Sequence, residues 1–301
     1  MNILKSFVYA LFAFITLLSC KSNDKNLDKS EISYLETEFK TTKADTTFNK
    51  LVQAYGKAII NSEDSQTKEA LLIKAVELCN VPEKLPMKEV FAVELLKVNP
   101  NHKNAANDLY DLAESMESRN RKEAAAMLYD AFSQRFPNDK RANFASEKKL
   151  AEQQNHEEYF KNQAKKVLDN PNESGVNEMN TAHFIDMCET FAIAFPNDKM
   201  APVYLFKGAD MARAMGNTPK IMSLYDWVYT YYPKFEKAPL ALFLRGFTLD
   251  SELGNFTEAK KAYEKFLAKY PQDSLAKDVQ FLMNNLGKTP DQMYKEMQKA
   301  Q

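Results

Sequence analysis

The sequence has few of the residues that interrupt regular structure. It contains 7 glycines and 12 prolines in 301 residues, too few for the many turns of a many-stranded β fold. Long helices with short connections are therefore expected. The 40 basic residues nearly balance the 41 acidic ones, and the two signs are mixed along the chain. We therefore expect no surface that attracts nucleic acid by charge.

Residues that often carry catalysis or bind metals are also scarce. The sequence has three cysteines and three histidines, which are Cys20, Cys79, Cys188, His102, His156 and His183. No CxxC, HExxH, GxGxxG, GxxxxGK or GxSxG motif accompanies them. Cys79 and Cys188 could form one disulfide in an exported chain, but both lie on apolar helix faces, which favours two buried free thiols. We predict no enzyme activity, no metal, no cofactor and no small-molecule substrate.

The amino terminus has the pattern of an export signal. Lys5 precedes an apolar run from Phe7 to Leu18, and its 12 residues are too few to span a bilayer as a helix. A basic start, a short apolar run and small residues at its end are typical of a secretory signal. The end of the run, LLSC from Leu17 to Cys20, resembles the lipobox of bacterial lipoproteins. The resemblance implies that a signal peptide over residues 1–19 is removed and that Cys20 is acylated with fatty acids such as palmitate.

The residues that follow Cys20 are polar. The stretch from Lys21 to Ser30 has too few apolar residues to order itself, and we predict a lipidated flexible tether over residues 20–44 and a helical domain over residues 45–301. By resemblance to enteric sorting rules, Lys21 stands where an aspartate would favour the inner membrane. The resemblance thus implies a lipid anchor in the outer membrane. We expect the body to face the periplasm, with exposure at the cell surface as the open alternative.

A short phrase recurs five times along the chain. In each copy a proline lies five residues after an apolar residue, and an alanine lies five residues after the proline. The prolines are Pro100, Pro137, Pro196, Pro233 and Pro271, at intervals of 37, 59, 37 and 38 residues. The positions five and eight residues before each proline share one helix face, so each phrase predicts a buried stripe, a helix end and a turn. The long interval predicts an extra helix around 156–169, followed by a loop containing Gly175.

The last two units also match each other at their inner turns. Gly208 and Gly246 predict close approach of two helices, whereas Gly216 and Gly254 predict helix ends. The stretch GNFTEAKKAYEKFLAKYP, which begins at Gly254, resembles the second half of a tetratricopeptide repeat. The resemblance implies an all-α fold, an α-solenoid of stacked antiparallel helix pairs with one extra helix inserted near the middle. One departure is that Gly246 lies a residue earlier, relative to Gly254, than the family pattern expects.

The resemblance also implies where a partner would bind. In the family, the inner face of the first helix of each repeat usually holds a peptide or a helix of another protein. Carrying those positions over gives a partner-binding groove that contains Leu205, Arg213, Phe243, Phe247 and Asp250. Phe247 stands where many repeats keep a small residue, so it is either an exposed anchor for a partner or part of the core.

Two functions follow from these observations. The favoured one is a membrane-tethered, non-catalytic scaffold for protein–protein interactions in the bacterial cell envelope. It would be similar to the repeat lipoprotein of the outer-membrane β-barrel assembly machinery, or to periplasmic repeat proteins that coordinate wall synthesis with constriction, and its partners would be other envelope proteins. The alternative is a carbohydrate-binding outer-membrane lipoprotein associated with a nutrient transporter, similar to starch-binding proteins built on these repeats. The single tryptophan of the sequence, Trp227, is expected to be partly buried, which counts against the alternative.

Overall fold

A computed structural model of the protein describes residues 29–62, 64–173, 175–288 and 292. These residues are all-α, as predicted, and no strand occurs among them. The 14 helices are α1 Lys29–Thr42, α2 Asp45–Asn61, α3 Ser65–Leu78, α4 Leu85–Val98, α5 Ala105–Ser118, α6 Lys122–Arg135, α7 Ala142–Glu147, α8 His156–Lys166, α9 Glu178–Ala194, α10 Ala201–Ala214, α11 Thr218–Tyr231, α12 Ala238–Phe247, α13 Phe256–Lys269 and α14 Ala276–Asn284. Short 3-10 helices span Pro82–Lys84 and Ala151–Gln153, and a π-helix spans Thr248–Glu252.

The described helices form two compact units. The first contains the described residues up to Arg121 together with Phe132–Ala142, and the second contains Lys122–Ala131 and the described residues from Asn143 onward. Within the first unit, consecutive helices from α1 to α5 pack against each other, and within the second the same holds from α8 to α14. Each helix thus buries its apolar face against its neighbours in the chain, the packing of a tetratricopeptide-like helical array.

The helical part begins earlier than the sequence predicted. Residues 29–42 fall in the range predicted as a flexible tether, but they form α1. Ile32 and Leu35 lie three residues apart on one face of α1, are 7% and 6% exposed, and belong to a core cluster that also contains Phe48 and Leu51 of α2. The tether boundary at residue 44 is therefore wrong, because this apolar stripe gains enough burial to order the helix. The predicted signal peptide, Cys20 and the first part of the tether lie outside the described residues.

The five copies of the repeated phrase form the same turn. In the second copy, Phe136 donates its N–H to the carbonyl of Phe132 at 2.9 Å, Asp139 donates to Phe136 at 3.0 Å and Ala142 donates to Asp139 at 2.9 Å. The turns that begin at Asn99, Phe195, Tyr232 and Tyr270 repeat this set of hydrogen bonds. The phrase therefore specifies a backbone geometry that returns the chain to the next helix.

A side chain completes four of these turns. The carboxylate of Asp139 accepts the N–H of Arg141 at 2.9 Å, and Asp198 and Asp273 do the same in their turns. In the first turn the acceptor is the Nδ1 atom of His102, 3.3 Å from the N–H of Asn104. An acceptor at this position satisfies a backbone donor that the next helix leaves free at its start.

The predicted buried stripe is confirmed. The ten positions that lie five and eight residues before the prolines are at most 5% exposed, and they are Ala92, Leu95, Tyr129, Phe132, Cys188, Phe191, Tyr225, Val228, Tyr263 and Phe266. Cys79 is also buried, and both cysteines of the described residues are free thiols, as predicted. Burial raises the pKa of the Cys79 thiol to about 12 and holds that of Cys188 well above its usual value, so neither is readily converted to the reactive thiolate.

The extra helix in the long interval is also confirmed. It is α8, and it begins after Asn155, whose side chain accepts the N–H of Glu158 at 3.1 Å. Its first residue, His156, packs its ring against Phe191 and Phe195, with centroids 5.0 and 4.8 Å apart. The following loop contains Gly175 in the left-handed region, at φ +81°.

Alanine substitution of Gly208 and of Gly246 should have different effects. A Cβ atom on Gly246 would lie 2.8 Å from Cε1 of Tyr263, a fully buried ring, whereas one on Gly208 would come no closer than 3.4 Å to Cys188. Overpacking costs about 1–3 kcal/mol, while alanine gains about 1 kcal/mol over glycine inside a helix. We expect Gly246→Ala to lower the free energy of unfolding by about 1–2 kcal/mol and Gly208→Ala to leave it unchanged or raise it. Urea unfolding of both variants checks this, and equal stability of the two would contradict the close approach of α12 and α13.

Candidate interaction surfaces

Four of the five residues predicted to bind a partner are at least partly exposed. We call them together the Phe243–Phe247 surface, and they are Arg213 on α10, Phe243 and Phe247 on α12, and Asp250 in the π-helix. The two phenylalanines are one helical turn apart, and their ring centroids are 6.0 Å apart with planes inclined by 30°. Phe247 is 37% exposed, so of its two predicted roles the structure supports the exposed one.

The π-helix places Asp250. The N–H of Leu253 donates to the carbonyl of Thr248 at 3.1 Å, a bond that spans five residues where an α-helix would span four. This wider turn is the structural counterpart of the displaced Gly246 noted in the sequence. The carboxylate of Asp250 accepts a hydrogen bond from the hydroxyl of buried Tyr263 at 3.3 Å. Burial raises the pKa of Asp250, and the bond from Tyr263 opposes part of that rise.

Arg213 joins α10 to the π-helix. Its guanidinium donates to the carboxylate of Glu252 at 2.7 Å and to the hydroxyl of Thr248 at 3.2 Å. Thr248 directly follows Phe247, so the charged group lies at the border of the exposed phenylalanine. Both members of the ion pair are more than a third exposed, so the pair adds orientation more than stability.

The prediction for Leu205 is wrong. Its side chain is fully buried and cannot contact a partner. The turns before α10 and α12 are 37 residues apart, since Ala201 and Ala238 make equivalent hydrogen bonds to Asp198 and Phe235. Leu205 therefore corresponds to Leu242, which is also buried, and Phe247 corresponds to Asp210, which is also exposed. The extra residue lies in the π-helix and changes the interval to 38 only after Phe247.

Other candidate residues have structural roles in the described part of the chain. Trp227 is 4% exposed, which leaves little of its indole for stacking on a sugar. No group of three or more metal-ligating side chains occurs among the described residues. His183 places its Nε2 atom 2.9 Å from the carboxylate of Glu123.

Glu123 is a structurally important residue that the sequence did not predict. The carboxylate on α6 also accepts hydrogen bonds from Tyr159 and from Gln163, both on α8, and Gln163 lies at 3.3 Å. The bond from His183, reinforced by that from Tyr159 and opposed by burial, lowers the pKa of Glu123 to about 2. These bonds fix the face that the inserted helix α8 turns toward α6. The sequence carries no signal for them, since the donors lie 36 to 60 residues away.

Comparison with known proteins identifies the repeat. Residues 109–139 and 240–273 match the family model of the tetratricopeptide repeat, and the second segment contains most of the Phe243–Phe247 surface. The described residues are therefore all-helical and contain two segments that match this repeat. Proteins with this repeat are typically non-catalytic and generally bind protein partners. No match was found among curated proteins.

No helix within the described ranges is both long enough and apolar enough to cross a membrane.

Proposed function

We propose that the protein is a non-catalytic scaffold for protein–protein interactions, tethered to the outer membrane of a bacterial cell envelope through lipid on Cys20 and facing the periplasm. A partner docks on the Phe243–Phe247 surface. The anchor and the location rest on the sequence of residues 1–20, where a basic start, a short apolar run and LLSC follow one another. Attached acyl chains would hold the protein at the membrane without a spanning helix.

One observation carries the docking proposal. Two phenylalanine rings lie beside each other on α12, and one of them is exposed. Exposed aromatic pairs bordered by charged groups are typical centres of protein interfaces, because aromatic anchors supply much of the binding energy. Arg213 and Asp250 supply the polar border here. Envelope proteins, such as those that assemble outer-membrane barrels or build the wall, are the proposed partners.

The experiment is crosslinking in intact cells, followed by affinity capture and mass spectrometry. The wild-type protein is compared with Phe247→Ala, which removes the exposed ring, and with Cys20→Ser, which removes the acylation site. We expect Phe247→Ala to reduce recovery of the partner by about tenfold or more, as loss of an aromatic anchor typically does. Cys20→Ser should release the protein from the membrane fraction.

A matched variant separates loss of the surface from loss of any exposed ring. Phe281 on α14 is 46% exposed and lies outside the Phe243–Phe247 surface, so Phe281→Ala should recover the partner as the wild type does. Equal recovery with Phe247→Ala and wild type would contradict the docking proposal. Recovery of a nutrient transporter alone would favour the carbohydrate-binding alternative.

A further inference from the structure

A groove of about 400 Å³ lies between α8 and α10 in the second unit. Its apolar floor consists of Phe160 of α8, Phe184 of α9 and Tyr204 of α10, which are at most 3% exposed. The rings of Phe160 and Tyr204 stack with centroids 3.8 Å apart and planes inclined by 20°. The inserted helix α8 forms one side of the groove. No residue of the groove lining belongs to the Phe243–Phe247 surface.

The rim of the groove is basic. Along α8, Glu157, Lys161, Ala164 and Lys165 lie on one helical face, and Leu168 continues that face beyond the end of the helix at 66% exposure. Lys207 stands on the opposite side, on α10, with its ammonium 5.8 Å from the Tyr204 ring. Three lysines thus face one glutamate. Neither Lys161 nor Lys165 forms an ion pair with another described residue, so their charge is available to a ligand.

Tyr204, one of the residues that line the groove, has a buried hydroxyl without a protein partner in the part of the chain that the structure describes. Tyr204 is 1% exposed, and its hydroxyl has no hydrogen-bond partner among the described residues. A buried hydroxyl left unpaired costs about 1–3 kcal/mol. Burial, with a smaller contribution from Glu157, raises its pKa to about 12. The hydroxyl therefore keeps its proton at neutral pH and can donate to an oxygen atom of a ligand.

We propose that this groove binds an acidic, amphipathic peptide segment of a partner protein. Apolar side chains of the segment insert between α8 and α10 onto Phe160, Phe184 and Tyr204. Its carboxylates pair with Lys161, Lys165 and Lys207, and one of its oxygens accepts the Tyr204 hydroxyl. The volume suits a few side chains. The inference extends the proposed scaffold function to a second surface, and it does not require docking on Phe247.

The test uses the protein from Lys21 to Gln301, without the predicted signal peptide and acylation site, together with a fluorescent synthetic peptide. The peptide carries two phenylalanines four residues apart, flanked by glutamates, and a second peptide replaces the glutamates with lysines. We expect fluorescence anisotropy to show saturable binding of the acidic peptide and about tenfold weaker binding, or none, of the basic one. Binding of the acidic peptide should weaken as salt is added.

Two variants locate the binding. Lys161→Glu combined with Lys165→Glu should weaken binding by about tenfold or more, whereas Lys50→Glu with Lys57→Glu, an equal charge change at two exposed positions of α2, should not. Ala164→Trp places an indole at the exposed rim and should block binding, while Ala182→Trp, at an exposed position of α9 outside the groove lining, should leave it intact. All six positions tolerate change because they are exposed, and circular dichroism confirms folding.

Three results would overturn the inference. The first is equal binding of both peptides, and the second is binding that the α8 lysine variants leave unchanged. The third is displacement of the acidic peptide by a fatty acid, which would identify the groove as a lipid site. Because Phe247 is intact in these variants, a negative result leaves the proposed docking on the Phe243–Phe247 surface standing. Conversely, Phe247→Ala should bind the acidic peptide as well as the wild type does.

Discussion

Replacement of Glu123 by alanine should lower the free energy of unfolding by about 3 kcal/mol at neutral pH. The carboxylate accepts hydrogen bonds from His183, Tyr159 and Gln163, and all three donors would lose their acceptor together. The pKa of Glu123 is lowered to about 2, chiefly by the bond from His183. The stabilisation by this carboxylate is therefore present above its unfolded-state pKa of about 4.3 and is lost as the pH falls toward 2.

Urea unfolding of wild type and Glu123→Ala at pH 7 and at pH 3 measures this contribution. We expect the difference between the two proteins to shrink at pH 3, because Glu123 is then protonated in the unfolded state and folding must release that proton. Glu114→Ala, at an exposed position of α5, is the control and should change stability by less than about 0.5 kcal/mol. Hydrogen exchange adds a local readout, since the amides of α8 should exchange faster in Glu123→Ala while those of α13 do not. Unchanged protection of α8 would argue against its anchoring by Glu123.

Replacement of Asp108 by asparagine should act in the opposite direction and raise stability at pH 8 by up to about 3 kcal/mol. Asp108 is 4% exposed on α5, and burial raises its pKa to about 6. Nearby Lys88 opposes the rise and Asp111 adds to it, while the Nε2 atom of His102 lies 3.4 Å from its carboxylate. Because the folded protein favours protonated Asp108, the protein has this stabilisation below pH 3.8 and loses it as the pH rises through about 6.

The asparagine side chain is neutral at every pH, so the variant should keep the stability that the wild type loses as the pH rises. We expect urea unfolding to show Asp108→Asn more stable than the wild type at pH 8 and similar to it at pH 4. Asp169→Asn, at an exposed position, controls for the change in net charge. A variant less stable than the wild type at pH 8 would show that the charged carboxylate contributes favourably through Lys88 or His102.

The repeated turns show how far local sequence could predict the structure. The proline, the alanine five residues later and the acceptor at Asp139, Asp198 or Asp273 all act within seven residues of one another, and the same backbone hydrogen bonds follow in every copy. The extra helix α8 was predicted because the interval between prolines exceeds one repeat, and the structure shows that Asn155 caps it.

The candidate sites were predicted less well. Position-by-position transfer from the repeat family gave Arg213, Phe243, Phe247 and Asp250, which are at least partly exposed, and also Leu205, which is buried. It gave no residue of the groove between α8 and α10, because that groove is made by a helix the family pattern does not contain. It also placed the start of the helical domain too late, because the apolar stripe of Ile32 and Leu35 is short and is buried only by packing against α2.

The sequence by itself determined the helices, their ends and the residues that face the core, because caps, prolines and apolar spacing act over a few residues. The tertiary structure alone decided where the last repeats accommodate one extra residue. The π-helix places it after Phe247, so Leu205 corresponds to buried Leu242 and not to partly exposed Phe243. The tertiary structure also decided which distant side chains meet, such as Glu123 and His183 or Phe160 and Tyr204. Exposure and long-range contact depend on neighbours far along the chain, and a local pattern contains no information about their distance.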